Sequence, residues 1–170
     1  YFRYDHALKK MQRYFIFSEE DRKQQRAKLN AIYDEIISQV PEAALASDQF
    51  TRLCDLAIDY CEDIKALSPQ QIKKMVEIFT NHGAQAKVSS IHVNGWFGDY
   101  DKLTTCKLYC LQEWGWDLKE KQNEVAFVGD SPNDEPMFAF FKNSIAVANI
   151  QSYLNQLSSL PASTILLLCR

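Results

Sequence analysis

The residues Gly129-Asp130-Ser131-Pro132-Asn133-Asp134 put carboxylates, a side-chain amide and a hydroxyl within one short stretch. Val125-Ala126-Phe127-Val128, an unbroken apolar run, precedes them. Such a run predicts a strand buried on both faces of a parallel sheet. Gly129 ends it. Pro132 suits the first turn of a following helix over 133–141, and Met137, Phe138 and Phe141 give that helix an apolar face. In open α/β sheets, ligands sit outside the carboxyl ends of the strands. Acidic and amide groups placed there suit a hard cation such as magnesium and a bound phosphate.

A second stretch, Phe97-Gly98-Asp99-Tyr100-Asp101-Lys102, opens a helix over 101–114 that carries Leu103, Leu108 and Leu111 and stops near Gly115. A lysine at a helix start can set its ammonium beside a phosphate, where the free helix amides add to the positive field. On its own, Lys102 reads as a surface lysine; its order and spacing relative to GDSPND turn the reading toward phosphate.

The elements that must hold these groups follow from periodicity. From about residue 99 the pattern runs α-β-α-β-α-β: the 101–114 helix, Val125–Val128, the 133–141 helix, a strand over Ser144–Ala148, a short helix over Ile150–Leu157 and a strand over Thr164–Leu168. That alternation predicts a parallel sheet with helices. The part before it reads differently. Tyr1–Tyr4 and Met11–Phe17 are strand-like, with Asp5-His6 as a turn. Ser18 caps a helix whose first turn carries Glu20 and Asp21, and Leu29, Ile32, Tyr33, Ile36 and Ile37 recur along it at helical spacing. Thr51–Tyr60 is strand-like, with Leu53, Leu56 and Ile58 inside. Ser68-Pro69 caps a helix that runs through Ile72, Met75, Val76 and Phe79 and stops at Gly83, with His82 as a capping cation. Gln85–Val93 reads as one strand and Asn94-Gly95 as a turn.

Composition narrows the class. The 170 residues are enough for one ordinary domain or two small ones. Apolar content of 46% with 24% charged residues is that of a soluble globular protein. A net charge of −3 makes no electrostatic case for nucleic acid or a membrane surface as partner. No apolar run reaches the roughly 20 residues of a membrane span. No basic-then-apolar stretch opens the sequence, and the expected location is the cytoplasm. The five cysteines form no CxxC pair, which predicts buried free thiols in a reducing compartment.

The GDSPND hexapeptide followed by Pro136-Met137 resembles the fourth motif of the haloacid dehalogenase superfamily. The form is that of the large-cap branch, subfamily IIB, which includes sucrose-phosphate and mannosyl-3-phosphoglycerate phosphatases. Lys102 resembles the family's third motif, a lysine placed after the last cap strand and before the helix leading to the fourth-motif strand. The resemblance implies an α/β fold, a HAD-like Rossmannoid parallel sheet with an α+β cap. It divides the chain into strands joining core to cap over 1–17, the cap over 18–98, and the C-terminal part of the core over 99–170. It also implies roles. Asp130 would ligate magnesium. Asn133 would hydrogen-bond the phosphoryl group. Asp134 would hold the loop or reach magnesium through a water. Lys102 would neutralise phosphate charge. The implied chemistry is attack of a carboxylate on phosphorus, then release of the aspartyl phosphate by water. Charge on the phosphoryl oxygens would be offset by the cation and the lysine. The implied partner is a small phosphorylated metabolite such as a sugar phosphate. Caps of this kind contact the leaving group, and Arg52, His92, Asn94 and Trp96 are the residues suited to it here, Arg52 for a hydroxyl, carboxylate or second phosphate and Trp96 for a sugar face.

The family's nucleophile lies in a DxD motif after an apolar strand near the N-terminus. Asp99-Tyr100-Asp101 has the spacing, but Asn94–Gly98 is not an apolar strand. No serine or threonine of the second family motif precedes Ser18. The chain opens on Tyr1-Phe2-Arg3 without Met. The expectation is the C-terminal part of a longer phosphatase, inactive alone. The alternative is a non-catalytic regulatory or interaction module on the same fold. An unrelated nucleotide-binding domain lacks support, because the sequence has no Gly-rich phosphate loop.

Overall fold

The computed structural model describes residues 1–159 and 161–165, in two units, Tyr1–Asp99 and Tyr100–Arg170. The first unit begins with an antiparallel hairpin of β1 (Phe2–Asp5) and β2 (Lys10–Arg13), in which Phe2 faces Arg13 and Asp5 faces Lys10. Asp5 shapes its turn by accepting from the amides of Ala7 and Leu8, both at 2.9 Å. The second strand stops at Arg13, short of the Phe17 expected from its aromatic content. Ser18 then caps α1 (Glu19–Gln39), accepting from the Asp21 amide.

A four-stranded antiparallel sheet follows, built from β3 (Ala44–Leu45), β4 (Asp55–Asp59), β5 (Gln85–Val88) and β6 (His92–Trp96) in the order β3-β4-β6-β5. Helix α2 (Pro69–Asn81) has a full capping box, Ser68 with Gln71, and proline in its first turn; Gly83 beyond it has φ 74°. Leu29, Ile32 and Ile36 of α1, Met75, Ile78 and Phe79 of α2, and Leu56, Ile58 and Val93 of the sheet form one buried core.

Three further expectations for this unit are corrected. Residues 49–51 form a 3-10 turn and β4 starts only at Asp55, which leaves Leu53 exposed. Gln85–Val93 is two strands joined by a turn at Ser89–Ile91, where the Ser89 hydroxyl and the main chain of His92 bond reciprocally. Asn94-Gly95 lies in the middle of β6 and turns nothing. Glycine is there for closeness: a Cβ on Gly95 would stand 2.1 Å from the Phe79 ring.

In the second unit, α3 (Lys102–Trp114) is capped by Asp101 in a box with Thr104 and closed by Gly115 at φ 66°. A three-stranded parallel sheet of β7 (Ala126–Gly129), β8 (Asn143–Val147) and β9 (Ser163–Ile165) runs in that order. Between β7 and β8 come a 3-10 turn at Pro132–Asp134 and α4 (Glu135–Phe140), so the helix starts two positions later than read. The Ala148–Gln156 segment is also 3-10 rather than α. Of the strand expected over Thr164–Leu168, 166–168 lie outside the described residues. Phe127 joins both apolar clusters of this unit, one with Cys110, Leu118, Met137 and Phe141, the other with Phe138, Ala146 and Ile150.

The β7 strand is not buried on both faces. Val125 and Phe127 pack inward, whereas Ala126 and Val128 are exposed, Val128 by 58%. Among the described residues β7 is an edge strand with β8 on one side, and only its Phe127 face is covered, by α3 and α4. Leu111 of α3 is likewise exposed. Among the described cysteines, all free, Cys110 is buried and Cys54, Cys61 and Cys106 are half-buried; burial pushes every one of these thiols up from its ordinary pKa. Cys169 lies outside the described residues.

Candidate active site

The site sits at the carboxyl end of β7. Gly129 permits it: a Cβ there would stand 2.8 Å from Asp134 Oδ2 and 2.9 Å from ring carbons of Phe127 and Phe138. The chain leaves the strand through Asp130 and extended Ser131, and Pro132 opens the 3-10 turn that carries Asn133 and Asp134. The turn folds Asp134 back on the strand end. Its Oδ2 accepts from the Asp130 amide at 3.0 Å, and its own amide donates to the Ser131 carbonyl, also at 3.0 Å.

Asp134 is 2% exposed, and a buried carboxylate needs a partner. Lys102, in the first turn of α3, supplies it by donating from Nζ to Oδ1. Lys102 therefore has a counter-charge in the unliganded chain, which its sequence position alone does not reveal. Its side chain is half exposed, so the ammonium still faces solvent while paired.

Asp130 differs. Its carboxylate makes no hydrogen bond or ion pair with any described residue. Asn133 uses its side-chain oxygen to accept from Ser131 Oγ at 2.5 Å. Lys102, Asp130, Asn133 and Asp134 thus come together in the second unit, and Ser131, which sequence reasoning did not single out, joins them through its hydroxyl. The signal was its place inside the hexapeptide. No group of three His, Cys, Asp or Glu side chains converges among the described residues. The donor set still suits magnesium, which takes one or two carboxylates and completes its shell with water and phosphate oxygens. Of the two aspartates, Asp130 has its oxygens available. Asp134, by its bonds, holds the loop and the lysine.

Asp99-Tyr100-Asp101 takes a different part. Asp101 is the α3 cap, with its carboxylate on the Thr104 amide at 2.7 Å.

Arg52 lies in the first unit, in a network of its own. Asp48 takes Nε at 2.9 Å and Nη2 at 3.0 Å, and Nη1 donates to Asp55 at 2.7 Å and to the Asn94 oxygen at 3.3 Å. Burial opposes the Arg52 charge, but the hydrogen bonds to Asp48 and Asp55 outweigh it and raise the guanidinium further. The same bond to Arg52 holds the Asp48 carboxyl below its usual range. Arg26 braces the loop from α1 through the carbonyls of Arg52 and Asp55. His92 is buried and bonds Glu62 at 2.8 Å; His82, the C-cap of α2, bonds Glu35 at 2.7 Å. Trp96 ends β6 opposite Asp55 and Gln85.

A parallel β-α-β sheet with acidic and amide groups at a strand end, and a lysine locked onto them, defines a haloacid dehalogenase-type core. The chain belongs to the haloacid dehalogenase-like hydrolases, whose family model matches residues 8–160. Among solved structures, its fold is similar to that of the sucrose-phosphatase of Synechocystis sp. PCC6803, solved in complex with sucrose and phosphate. The TM-score is 0.57 at 15% identity, over 84% of this chain and 58% of that one. A trehalose-6-phosphate phosphatase related protein matches with a TM-score of 0.46 at 12% identity, over 88% of this chain and 58% of that one. The chain thus spans less than two thirds of either protein's length. No curated protein matches it. No helix among the described residues is long and apolar enough to cross a membrane.

Proposed function

We propose that this chain carries the cap and the second half of the core of a magnesium-dependent phosphatase acting on a sugar phosphate or a similar small phosphorylated metabolite. The observation that carries the reading is the Lys102–Asp134 pair beside the uncommitted Asp130 carboxylate, at the end of β7 in a haloacid dehalogenase-like chain. The sugar-phosphate class is supported by the shared fold with a phosphatase that holds sucrose and phosphate. In this reading residues 18–98 are the cap and 99–170 belong to the core, and Arg52, paired with Asp48 and Asp55, is the cap's candidate cation for a substrate group. The free thiols suit a cytoplasmic location.

Asp130 and, through a water, Asp134 would hold magnesium, which would offset charge on the phosphoryl oxygens. Lys102 supplies a fixed positive charge to the same oxygens, and Asp134 keeps it from swinging into solvent. Asn133 donates to the phosphoryl group. The attacking carboxylate would come from a DxD strand outside these residues: Asp99-Tyr100-Asp101 follows no strand of the parallel sheet, and Asp101 is the cap of α3.

The test is phosphate release from a panel of sugar phosphates with magnesium titrated. The 170-residue chain alone should release none, and turnover should appear when an upstream DxD strand is joined to it. In the joined protein, Asp130→Asn should lower magnesium-dependent turnover by orders of magnitude, and Lys102→Met should lower kcat and kcat/KM together. Robust turnover by the chain alone, or full turnover by Asp130→Asn, would overturn the assignment.

A further inference from the structure

We infer that Ser131 is a positioning residue that sets which way round the Asn133 amide stands, and so makes the site a donor to phosphate; this rests on the phosphatase reading above. Ser131 is 5% exposed, and its hydroxyl has a single proton. Two acceptors lie in reach, Asn133 Oδ1 at 2.5 Å and Asp134 Oδ2 at 3.4 Å. The nearer one takes the proton. Asp134 Oδ2 is in any case supplied by the Asp130 amide at 3.0 Å.

The consequence falls on Asn133. With Oδ1 held by Ser131, its Nδ2 points away from the hydroxyl, and no described residue accepts from it. Two N–H donors are then free for phosphoryl oxygens. The reversed amide would donate to Ser131 Oγ and present its carbonyl oxygen to the ligand. The hydroxyl proton would be left with only the 3.4 Å partner, and two acceptors would meet across the site. Asparagine cannot tell these states apart by shape, because its two ends are nearly isosteric. A buried hydroxyl donor can. An alanine at 131 would leave the amide free to turn; threonine would keep the donor.

The experiment uses the full 170-residue chain, labelled with 15N, and inorganic phosphate in magnesium buffer as the probe. In the wild type, phosphate should shift the Asn133 side-chain amide signal saturably. Ser131→Ala should weaken phosphate binding about tenfold, the worth of one hydrogen bond, and Ser131→Thr should stay within about twofold of wild type, since it keeps that bond. Equal affinity in Ser131→Ala, with the wild-type Asn133 signal responding, would overturn the positioning role and leave the phosphate reading standing. A wild-type Asn133 signal that ignores phosphate would overturn the proposal, since the amide would then be no phosphate donor in this chain, and would leave the phosphatase reading to the turnover assay of the joined protein. The unsubstituted protein holds a further check that needs no variant to fold. A strong cross-relaxation peak between the Asn133 Nδ2 protons and the Ser131 β protons would place the amide the other way round and end the proposal.

Discussion

At the scale of single residues, the site depends on a side chain that is not there. Gly129 leaves room for Asp134 Oδ2, and a methyl group would stand 2.8 Å from it. Gly129→Ala should destabilise the second unit by about 2 kcal/mol through overpacking, and should push Asp134 off the Asp130 amide. Urea unfolding checks the first effect; loss of magnesium-dependent phosphate binding checks the second. Asp59 is the comparable case in the first unit. It is 1% exposed and accepts from the amides of Cys61, Glu62 and Asp63 at 2.8, 2.7 and 2.8 Å. Burial alone would raise its pKa, but the three amides and His92 outweigh burial and bring it below the ordinary 3.8. A lowered carboxylate pKa stabilises above the unfolded value and ceases to do so as pH falls through the folded one. The first unit should therefore lose stability on acidification below about pH 4. Asp59→Asn turns a donor toward an amide that needs an acceptor. It should cost about 2 kcal/mol at pH 7 and flatten the acid limb. Denaturant midpoints at pH 7 and pH 3 for both proteins measure this.

At the scale of elements, helices are set by their ends and strands by their neighbours. Ser68 with Gln71, Asp101 with Thr104, and Gly83 and Gly115 beyond the ends are local devices, and they place α2 and α3 where periodicity put them. The strands obey longer-range contacts. Asn94-Gly95 is a strong hairpin signal over a few residues, yet it lies within β6, paired on both sides by β4 and β5, with the Phe79 ring in the space over Gly95. Gly95→Ala should therefore destabilise the first unit by about 3 kcal/mol, the upper end for overpacking, although alanine is the better residue for a strand backbone. A thermal midpoint equal to wild type would show that the ring can move aside.

At the scale of the whole molecule, the weak point is β7. Among the described residues it has a strand neighbour on one side only, and Val128 stands exposed on its open face. An apolar strand with unpaired amides and carbonyls invites pairing with another chain, and a net charge of −3 offers little repulsion against it. The chain should self-associate with rising concentration in sedimentation velocity. Val128→Lys should suppress that association while changing stability by less than about 0.5 kcal/mol, as exposed substitutions do. Hydrogen exchange should be faster in β7 than in β6, which has strands on both sides. Equal protection in a monomeric sample would mean the edge is covered.

The sequence by itself determined what depends on neighbours along the chain. The caps at Ser18 and Ser68, the helix stops at Gly83 and Gly115, the parallel β-α-β order after residue 99 and the GDSPND turn were all legible, because each is written in residues a few positions apart. Lys102 and Asp134 could be named for the same reason, through a motif and its spacing. Only the tertiary structure decided what those residues touch. It paired Lys102 with Asp134 before any ligand arrives, turned the Asn133 oxygen inward to Ser131, tied Arg52 to Asp48 and Asp55, and split Gln85–Val93 into two strands. An apolar run says that a strand forms, but exposure depends on which faces and edges other elements cover, and so Val128 could not be placed from its own segment. Charges and rings that meet across many residues leave no periodic trace, and their partners are chosen by packing.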